Sequence, residues 1–184
     1  QLSFVADHEK PPRSAYFKTA RRFVAKPDHL CGWVNSWVGK RNMKAFILMN
    51  LYGSICCITN IGIAIPILIR LFEASYIWIP SLYTGLIVVL VSFALMMISF
   101  FFNMLYYACI GTTSWEQWNE IPRVRYSGST HENLVDVFGT SFSFDWFIPS
   151  DPWKGTPTNS LMEGLLPYRS TPQEETPLLE ALPE

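Results

Sequence analysis

Asp28-His29-Leu30-Cys31 places a carboxylate, an imidazole and a thiol within four residues, a short distance before a long apolar segment. A neutral thiol is a poor nucleophile at pH 7 and becomes a good one when a neighbouring base takes its proton. His29 is that base by residue type, and Asp28 is the group that fixes its tautomer and steadies the imidazolium. The same three residues also occur in ordinary loops, solvated or structural, so the pattern draws its meaning from its surroundings. A membrane beside the thiol would suit an apolar substrate.

The elements that must position these groups are apolar. Of the 184 residues, 49% are hydrophobic and 16% charged, and the mean hydropathy is +0.17. The net charge of −1 hides an asymmetry: nine of the 14 Lys and Arg lie in the first 44 residues, while the tail from Leu161 holds one Arg and five Glu. Residues 45–69 carry no charge and are bounded by Lys44 and Arg70. At about 1.5 Å per residue they exceed a bilayer core of roughly 30 Å, which predicts a spanning helix. A second uncharged run starts after Glu73, with its best membrane portion at 82–110 and Tyr76 and Trp78 ahead of it as interfacial anchors. Asn60, Pro66 and Asn103 inside these runs are expected to face a neighbouring helix or a cavity, or, for Pro66, to kink a helix end.

The fold class is therefore an α-helical integral membrane protein with two transmembrane helices, read in four parts. Residues 1–44 are a small domain, 45–110 a two-span hairpin, 111–150 a second extramembrane region and 151–184 a Pro-, Ser-, Thr- and Glu-containing tail expected to be disordered. The cation-rich segment before the first span puts both ends of this chain in the cytosol. Cys31 then lies on the reducing side, with Cys56, Cys57 and Cys109 in the spans, so no disulfide framework is expected. Asp7, Glu9 and Asp28 interrupt the early positive charges, and no signal peptide is read.

Three stretches carry a resemblance: Lys10-Pro11-Pro12-Arg13-Ser14, then Asp28-His29-Leu30-Cys31-Gly32-Trp33-Val34-Asn35, then Val38-Gly39-Lys40-Arg41-Asn42 with Phe46 entering the membrane. Together they resemble the DHHC family of protein S-palmitoyltransferases. Gly111-Thr112-Thr113-Ser114-Trp115-Glu116 is similar to the family's Thr-Thr-x-Glu motif, either with Thr112-Thr113 as the pair and one residue inserted, or as Thr113-Ser114-Trp115-Glu116 with Ser as the second Thr. Asn133-Leu134-Val135-Asp136-Val137-Phe138-Gly139 with Trp146-Phe147-Ile148-Pro149 resembles its C-terminal Asn motif. The resemblance covers residues 3–149. Family members usually carry two further spans ahead of this region, so an N-terminally incomplete chain is expected.

The departures are systematic. At the family's eight zinc-ligand positions stand Ser3, Ala6, Tyr16, Phe17, Ala20, Phe23, Leu30 and Trp37. None supplies the thiolate or imidazole that structural zinc takes, and the scattered His8 and His131 make no site, so zinc is expected to be absent. A structural zinc contributes about 10–16 kcal/mol in apparent terms. Burying Tyr16, Phe17, Phe23, Leu30 and Trp37 could return roughly 7–15 kcal/mol at an upper bound. A hydrophobic mini-core in place of the metals is the reading preferred over decay.

The resemblance implies that Leu30 replaces a zinc ligand, while Cys31, His29 and Asp28 keep the positions that perform and support the attack. The implied activity is protein-cysteine S-palmitoyl transfer, with palmitoyl-CoA or another long-chain acyl-CoA as the acyl-donor substrate and no bound cofactor. Membrane-associated proteins with cytosolic cysteines, and the lipid bilayer, are the implied partners. Thr112, Thr113, Glu116 and Asn133 are implied to tie the segment after the second span to the active site. Phe46, Tyr52, Phe93, Phe100 and Phe101 could line an acyl cavity or simply pack, and Lys40 and Arg41 could meet CoA phosphates or simply set topology. Leu178-Leu179 is a weak sorting motif. No phosphate-binding glycine loop is present, and nothing calls for nucleic acid. The location implied is an endomembrane, endoplasmic reticulum or Golgi. The alternative is a catalytically inactive adaptor or regulatory partner that keeps the surface without the chemistry.

Overall fold

The computed structural model of the chain describes residues 13–74, 78–120, 128–139 and 141–154. Two antiparallel hairpins come first, β1 (Ser14–Phe17) with β2 (Arg22–Ala25), and β3 (His29–Cys31) with β4 (Ser36–Val38). Two long helices follow, α1 (Met43–Glu73) and α2 (Trp78–Cys109). The short α3 (Ser114–Trp118), α4 (Thr130–Phe138) and a 3-10 turn at Phe144–Phe147 complete the chain.

No strands were read from the sequence, and the structure has four. Aromatic and β-branched residues dominate the pairs, and the chain reverses through Arg21, Lys26 and Asn35, all in the left-handed region at φ of 46–50°. Hairpins this short do not stand alone, so their packing decides whether they form. Tyr16 faces Phe23 across β1–β2 with ring centroids 5.3 Å apart. Phe17 stacks on Trp37 at 3.5 Å and meets Trp115 edge-on at 6.2 Å, which joins both hairpins to α3.

The expected mini-core is thus only partly realised. Phe23 is buried, Tyr16, Phe17 and Trp37 are half-buried, and Leu30 is 50% exposed. Alternation along β3 is the reason: with His29 and Cys31 on one face, Leu30 must point to the other, where it pairs with Trp37. Ser3, Ala6 and His8 lie outside the described residues, as do Leu178-Leu179 and most of the 151–184 tail.

Both long helices are apolar and long enough to cross a membrane. α1 runs past both expected bounds of 45–69, and α2 starts before the expected 82 and ends at Cys109, one residue short of 110, because backbone hydrogen bonding rather than hydrophobicity sets a helix end. Pro80 sits in the first turn of α2, where no intrahelical N–H is lost. The helices pack closely at Gly53, where a Cβ would collide with Met97. Asn60, Pro66 and Asn103 are exposed, against expectation. Asn60 satisfies its amide within its own helix, on the Cys56 carbonyl at 2.8 Å, so no neighbour is required.

The extramembrane parts are bolted together by charge. Asp136 on α4 accepts from Lys26 at 2.8 Å and from Lys40 at 2.6 Å, and both lysines are buried. Burial pushes the Asp136 carboxyl up, but the two ammonium groups outweigh it and hold the group at about 2. Lys40 also lies 4.6 Å from the centre of the Trp153 ring, so residues 151–154 are packed rather than trailing. Asn133, also on α4, donates to the Cys109 carbonyl at 2.9 Å and the Gly128 carbonyl at 3.3 Å, closing the end of α2. Gly111 has φ of +71°, and a Cβ there would lie 2.5 Å from Asn133 Oδ1, so that position requires glycine.

Asp136→Ala strands two buried cations and is expected to cost about 3 kcal/mol. Replacing all three residues by apolar side chains of similar size should recover most of it. The pH dependence has a definite sign: the Asp136 contribution is present above the ordinary carboxyl value of 3.8 and fades as pH falls from there toward about 2. Thermal unfolding of the purified protein across that window measures both effects.

Candidate active site

The site begins with a carboxylate that has no contact with water. The Asp28 side chain is 0% exposed. Its Oδ2 lies 2.7 Å from His29 Nδ1, and its Oδ1 accepts the Ser114 backbone N–H at 2.7 Å. The Ser114 hydroxyl donates to the Asp28 carbonyl at 3.2 Å, and the Asp28 N–H donates to the Val38 carbonyl at 2.9 Å. The carboxylate is therefore held from both hairpin β3–β4 and the start of α3. An anion buried this way favours a proton on Nδ1, which leaves Nε2 to act as the base.

His29 and Cys31 share one face of β3, two residues apart, and their side chains act on each other electrostatically. The hydrogen bond from Asp28 raises the His29 pKa; burial opposes it, and the contacts with Cys31 and the charge of Asp28 add to the rise. Burial pushes the Cys31 thiol up, yet its pKa ends below the ordinary value of 9.0. The turn after β3 is the reason: the N–H groups of Val34 and Trp33 and the His29 side chain all donate toward sulfur. Backbone donors folded round an anion stabilise the thiolate in the way they stabilise other anions.

The turn also reaches toward the spans. Trp33 is 72% exposed, and its ring meets Phe93 at 6.0 Å. Phe93 lies 16 residues, about 24 Å, from the Cys109 end of α2. Phe46, in the first turn of α1, contacts His29 edge-on at 5.1 Å. Cys31 itself is 4% exposed and belongs to the apolar core that includes Met43, Ile47 and Met104. Of the aromatics offered for an acyl cavity, Phe46 and Phe93 are by the site; Phe101 lines a separate groove, and the Tyr52 hydroxyl donates to the Phe147 carbonyl.

Residues of both motif registers make contacts, Thr112 and Thr113 with Glu116 and Ser114 with Asp28. Thr113 caps α3: its hydroxyl accepts the Glu116 N–H at 3.2 Å and donates to the Pro27 carbonyl at 2.7 Å, immediately before Asp28. Glu116 accepts from the Thr113 N–H at 3.0 Å and the Thr112 hydroxyl at 3.2 Å. A bidentate pair with Arg13, at 2.7 and 2.6 Å, completes its shell. Arg13 also donates to the Gly111 carbonyl at 2.7 Å. Asn133 stands one step back, on the end of α2.

Sequence reasoning missed Arg13, Ser114, Trp33 and Asp136. Arg13 and Ser114 lay inside stretches already quoted, and Asp136 lies i+3 from Asn133, one helical turn away. Lys40, offered for CoA phosphates, is instead committed to Asp136 and Trp153. Arg41 is exposed and lies 3.9 Å from Asp151. Among the described residues, no group of three or more His, Cys, Asp or Glu side chains could hold a metal. Tyr16, Phe17, Ala20, Phe23, Leu30 and Trp37 supply no zinc donor, so the residues here do not fit the family's metal sites.

The two apolar helices point to an integral membrane protein, with a cysteine, an imidazole and a buried carboxylate held against the spans. The chain matches the family model described as DHHC palmitoyltransferase over residues 4–121, and it belongs to that family. It is 26% identical over 148 residues to palmitoyltransferase ZDHHC3 of Rattus norvegicus, covering 76% of this chain and 50% of that protein. It is 29% identical over 147 residues to probable protein S-acyltransferase 12 of Arabidopsis thaliana, covering 76% and 50%. With probable protein S-acyltransferase 13 of the same plant it shares 27% over 183 residues, covering 94% and 59%. The chain thus spans about half the length of the curated relatives it matches.

A depressed thiol pKa has a direct readout. The pH profile of Cys31 alkylation should have its midpoint below that of an ordinary cysteine, and His29→Ala should move it upward. Ser114→Pro, which removes the N–H bonded to Asp28, should move the midpoint in the same direction by less. Iodoacetamide labelling followed by peptide mass spectrometry measures it; identical profiles for wild type and His29→Ala would remove His29 from the site.

Proposed function

We propose that the protein is a protein-cysteine S-palmitoyltransferase. The observation that carries this reading is buried Asp28 hydrogen-bonded to His29 at 2.7 Å, with His29 and Cys31 on one face of β3 and Cys31 in the core that α1 and α2 form. His29 takes the Cys31 proton, and the thiolate attacks the thioester carbonyl of a long-chain acyl-CoA. The carbonyl–sulfur bond to CoA breaks, CoA leaves as its thiolate, and the imidazolium returns the proton to it. Acyl-Cys31 remains. A cysteine of the acceptor protein then loses its proton to His29 and attacks the same carbonyl, releasing the Cys31 thiolate, which is reprotonated. Each step exchanges one thioester for another, so orientation and charge stabilisation supply the rate.

Asp28 orients His29 throughout, and Thr113, Glu116, Thr112 and Asn133 hold the segment that presents Ser114 to Asp28. Trp33 and Phe93 mark the route along which an acyl chain would leave the thioester. Both ends of the chain lie in the cytosol, as the cation-rich segment before α1 supports. The acceptors are membrane-associated proteins with cytosolic cysteines, and the membrane is that of the endoplasmic reticulum or Golgi. The domain that carries Cys31 holds its shape without zinc: the Tyr16–Phe23 and Phe17–Trp37 contacts stand where metal ligands would be, and the Asp136 and Glu116 ion pairs bind the hairpins to α3 and α4.

Autoacylation of the protein in membranes with an alkynyl palmitate tests the chemistry. Label should be removed by hydroxylamine, absent in Cys31→Ser, and reduced by about 10²–10⁴ in rate in His29→Ala. Label that survives Cys31→Ser, or none in a well-folded protein, would support the non-catalytic adaptor instead. Elemental analysis of the purified protein is expected to find only traces of zinc, and chelator treatment should leave thermal stability unchanged. A stoichiometric zinc content would overturn the metal-free domain while leaving the transferase reading intact.

A further inference from the structure

Residues 142–148 present an apolar surface that the Cys31 site does not use. Phe142 is 70% exposed and Phe144 79%, and Phe147 and Ile148 are exposed beside them. Single apolar residues on a surface are ordinary, but four large ones within seven residues, with Asp145 the one charge among them, are not what a water-facing turn shows. Phe144 and Phe147 stand three apart in the 3-10 turn, where i and i+3 share a face. Phe142 adjoins that face, its ring centroid 6.4 Å from Phe147 and 5.2 Å from Trp146. Trp146 is buried and stacks on Phe138 of α4 at 4.4 Å, so the turn is fixed on its inner side while the outer rings project from it.

Contacts with the long helices set the level of this turn. The Tyr52 hydroxyl donates to the Phe147 carbonyl. A helical side chain leans toward the N-terminus of its helix, so that hydroxyl stands about one turn nearer the start of α1, beside Leu48. In agreement, Trp146 and Phe147 face Leu48 and Leu51 of α1 and Phe101 of α2 across one groove. All three helical residues lie in the uncharged runs long enough to cross a membrane. Beyond the turn, Lys44 in the first turn of α1 donates to the Ser150 hydroxyl at 3.2 Å, and the charge of Asp145 acts on the same lysine. Residues 142–150 therefore have a polar edge level with Lys44 and an apolar edge about 6 Å deeper along α1, level with Leu48.

We infer that residues 142–148 are a membrane-inserted turn, whose Phe142, Phe144, Phe147 and Ile148 enter the acyl-chain region of the leaflet at the Met43 end of α1 while Asp145 stays among its headgroups. Lipid is the occupant because the patch continues the lipid-facing surface of the spans. Tyr52, exposed on α1, is bonded to the turn, and Phe102, exposed on α2, neighbours Phe101 of the shared groove. The leaflet that covers those helix faces at that level also covers the turn, and aromatic rings are the side chains that such interfacial positions favour. Through the Phe138–Trp146 stack the turn gives α4, which carries Asn133 and Asp136, a hold on the membrane besides the spans. The inference rests on α1 and α2 crossing a bilayer and not on the transferase reading.

The test replaces Phe144 or, in a separate variant, Phe142 of the full chain by p-benzoylphenylalanine, a photoreactive phenylalanine analogue that these projecting positions accommodate. Each variant is reconstituted in phosphatidylcholine vesicles and irradiated, and peptide mass spectrometry reads what has been joined to it. The same probe at Phe102 supplies the lipid-facing reference. Both turn positions should give adducts on phosphatidylcholine acyl chains in yields like that at Phe102. A second measurement removes the apolar edge: Phe142→Ser with Phe144→Ser should speed amide hydrogen exchange over residues 142–148 in the vesicles by about tenfold. Cross-links to a second copy of the chain, adducts confined to the choline headgroup, or no adduct at Phe142 and Phe144 where Phe102 reacts would each overturn the proposal, as would exchange unchanged by the double substitution. Silence at Phe102 as well would take the spans out of the bilayer and the proposal with them.

Discussion

The arrangement depends on one buried charge. Asp28 has no exposed side-chain surface and, among the described residues, no ion pair with a lysine or arginine, so its hydrogen bonds take the place of water. One oxygen takes the His29 ring, and the other takes the Ser114 N–H. The second bond comes from 86 residues further along the chain, beyond both spans. The surroundings of β3, the strand that carries His29 and Cys31, are thus completed only when α3 has been carried back to it. The Thr113 bond to Pro27, the Glu116–Arg13 pair and the Asn133 bond to the end of α2 each restrict where α3 can start, and they converge on the two residues before His29.

On the proposed zinc-free reading, other forces do the work of the metal. A metal site fixes four ligands by short bonds and would order two hairpins with little help from a core. Here the order comes from Phe17 stacked on Trp37 and edge-on to Trp115, from Tyr16 against Phe23, and from two ion-pair junctions whose members are mostly buried. Buried ion pairs return little net stability against an apolar replacement, but they penalise every arrangement in which one partner is left unpaired. Arg13 with Glu116, and Lys26 and Lys40 with Asp136, therefore select geometry more than they add stability. Leu30 shows where the substitution is passive: at a position that points to solvent, an apolar residue removes a metal ligand without gaining a core.

Much of this was legible in the sequence. The two spans follow from uncharged length alone, and their true ends differ by a few residues because a helix does not stop where its apolar face does. The Asp28, His29 and Cys31 set was visible from residue type, and the strand explains the spacing, since i and i+2 share a face while Leu30 does not. What stayed hidden was long-range pairing. Nothing local says that Ser114 will donate its N–H to Asp28, that Asp136 will collect two lysines, or that Lys40 is thereby withdrawn from any ligand. Nor does the sequence show Asn60 content on its own helix, since both solutions satisfy the amide.

On the proposed transferase reading, the contact of Trp33 with Phe93 gives a reason for this construction. A palmitoyl chain stabilises its place in a bilayer by about 0.8 kcal/mol for each buried methylene, so drawing a whole chain into water would cost on the order of 10 kcal/mol. That is comparable to the barrier reduction a catalyst of this kind must supply. The thiol must therefore meet the thioester where the chain already lies. The β3–β4 turn does so: it descends along the helices until Trp33 reaches Phe93, and Cys31 is left at the level where α1 begins. A sulfur buried in that core loses solvent stabilisation of its anion, which is the upward push on its pKa. The N–H groups of Trp33 and Val34 belong to the turn that makes the descent, so the segment that costs the thiolate its water also supplies donors in its place.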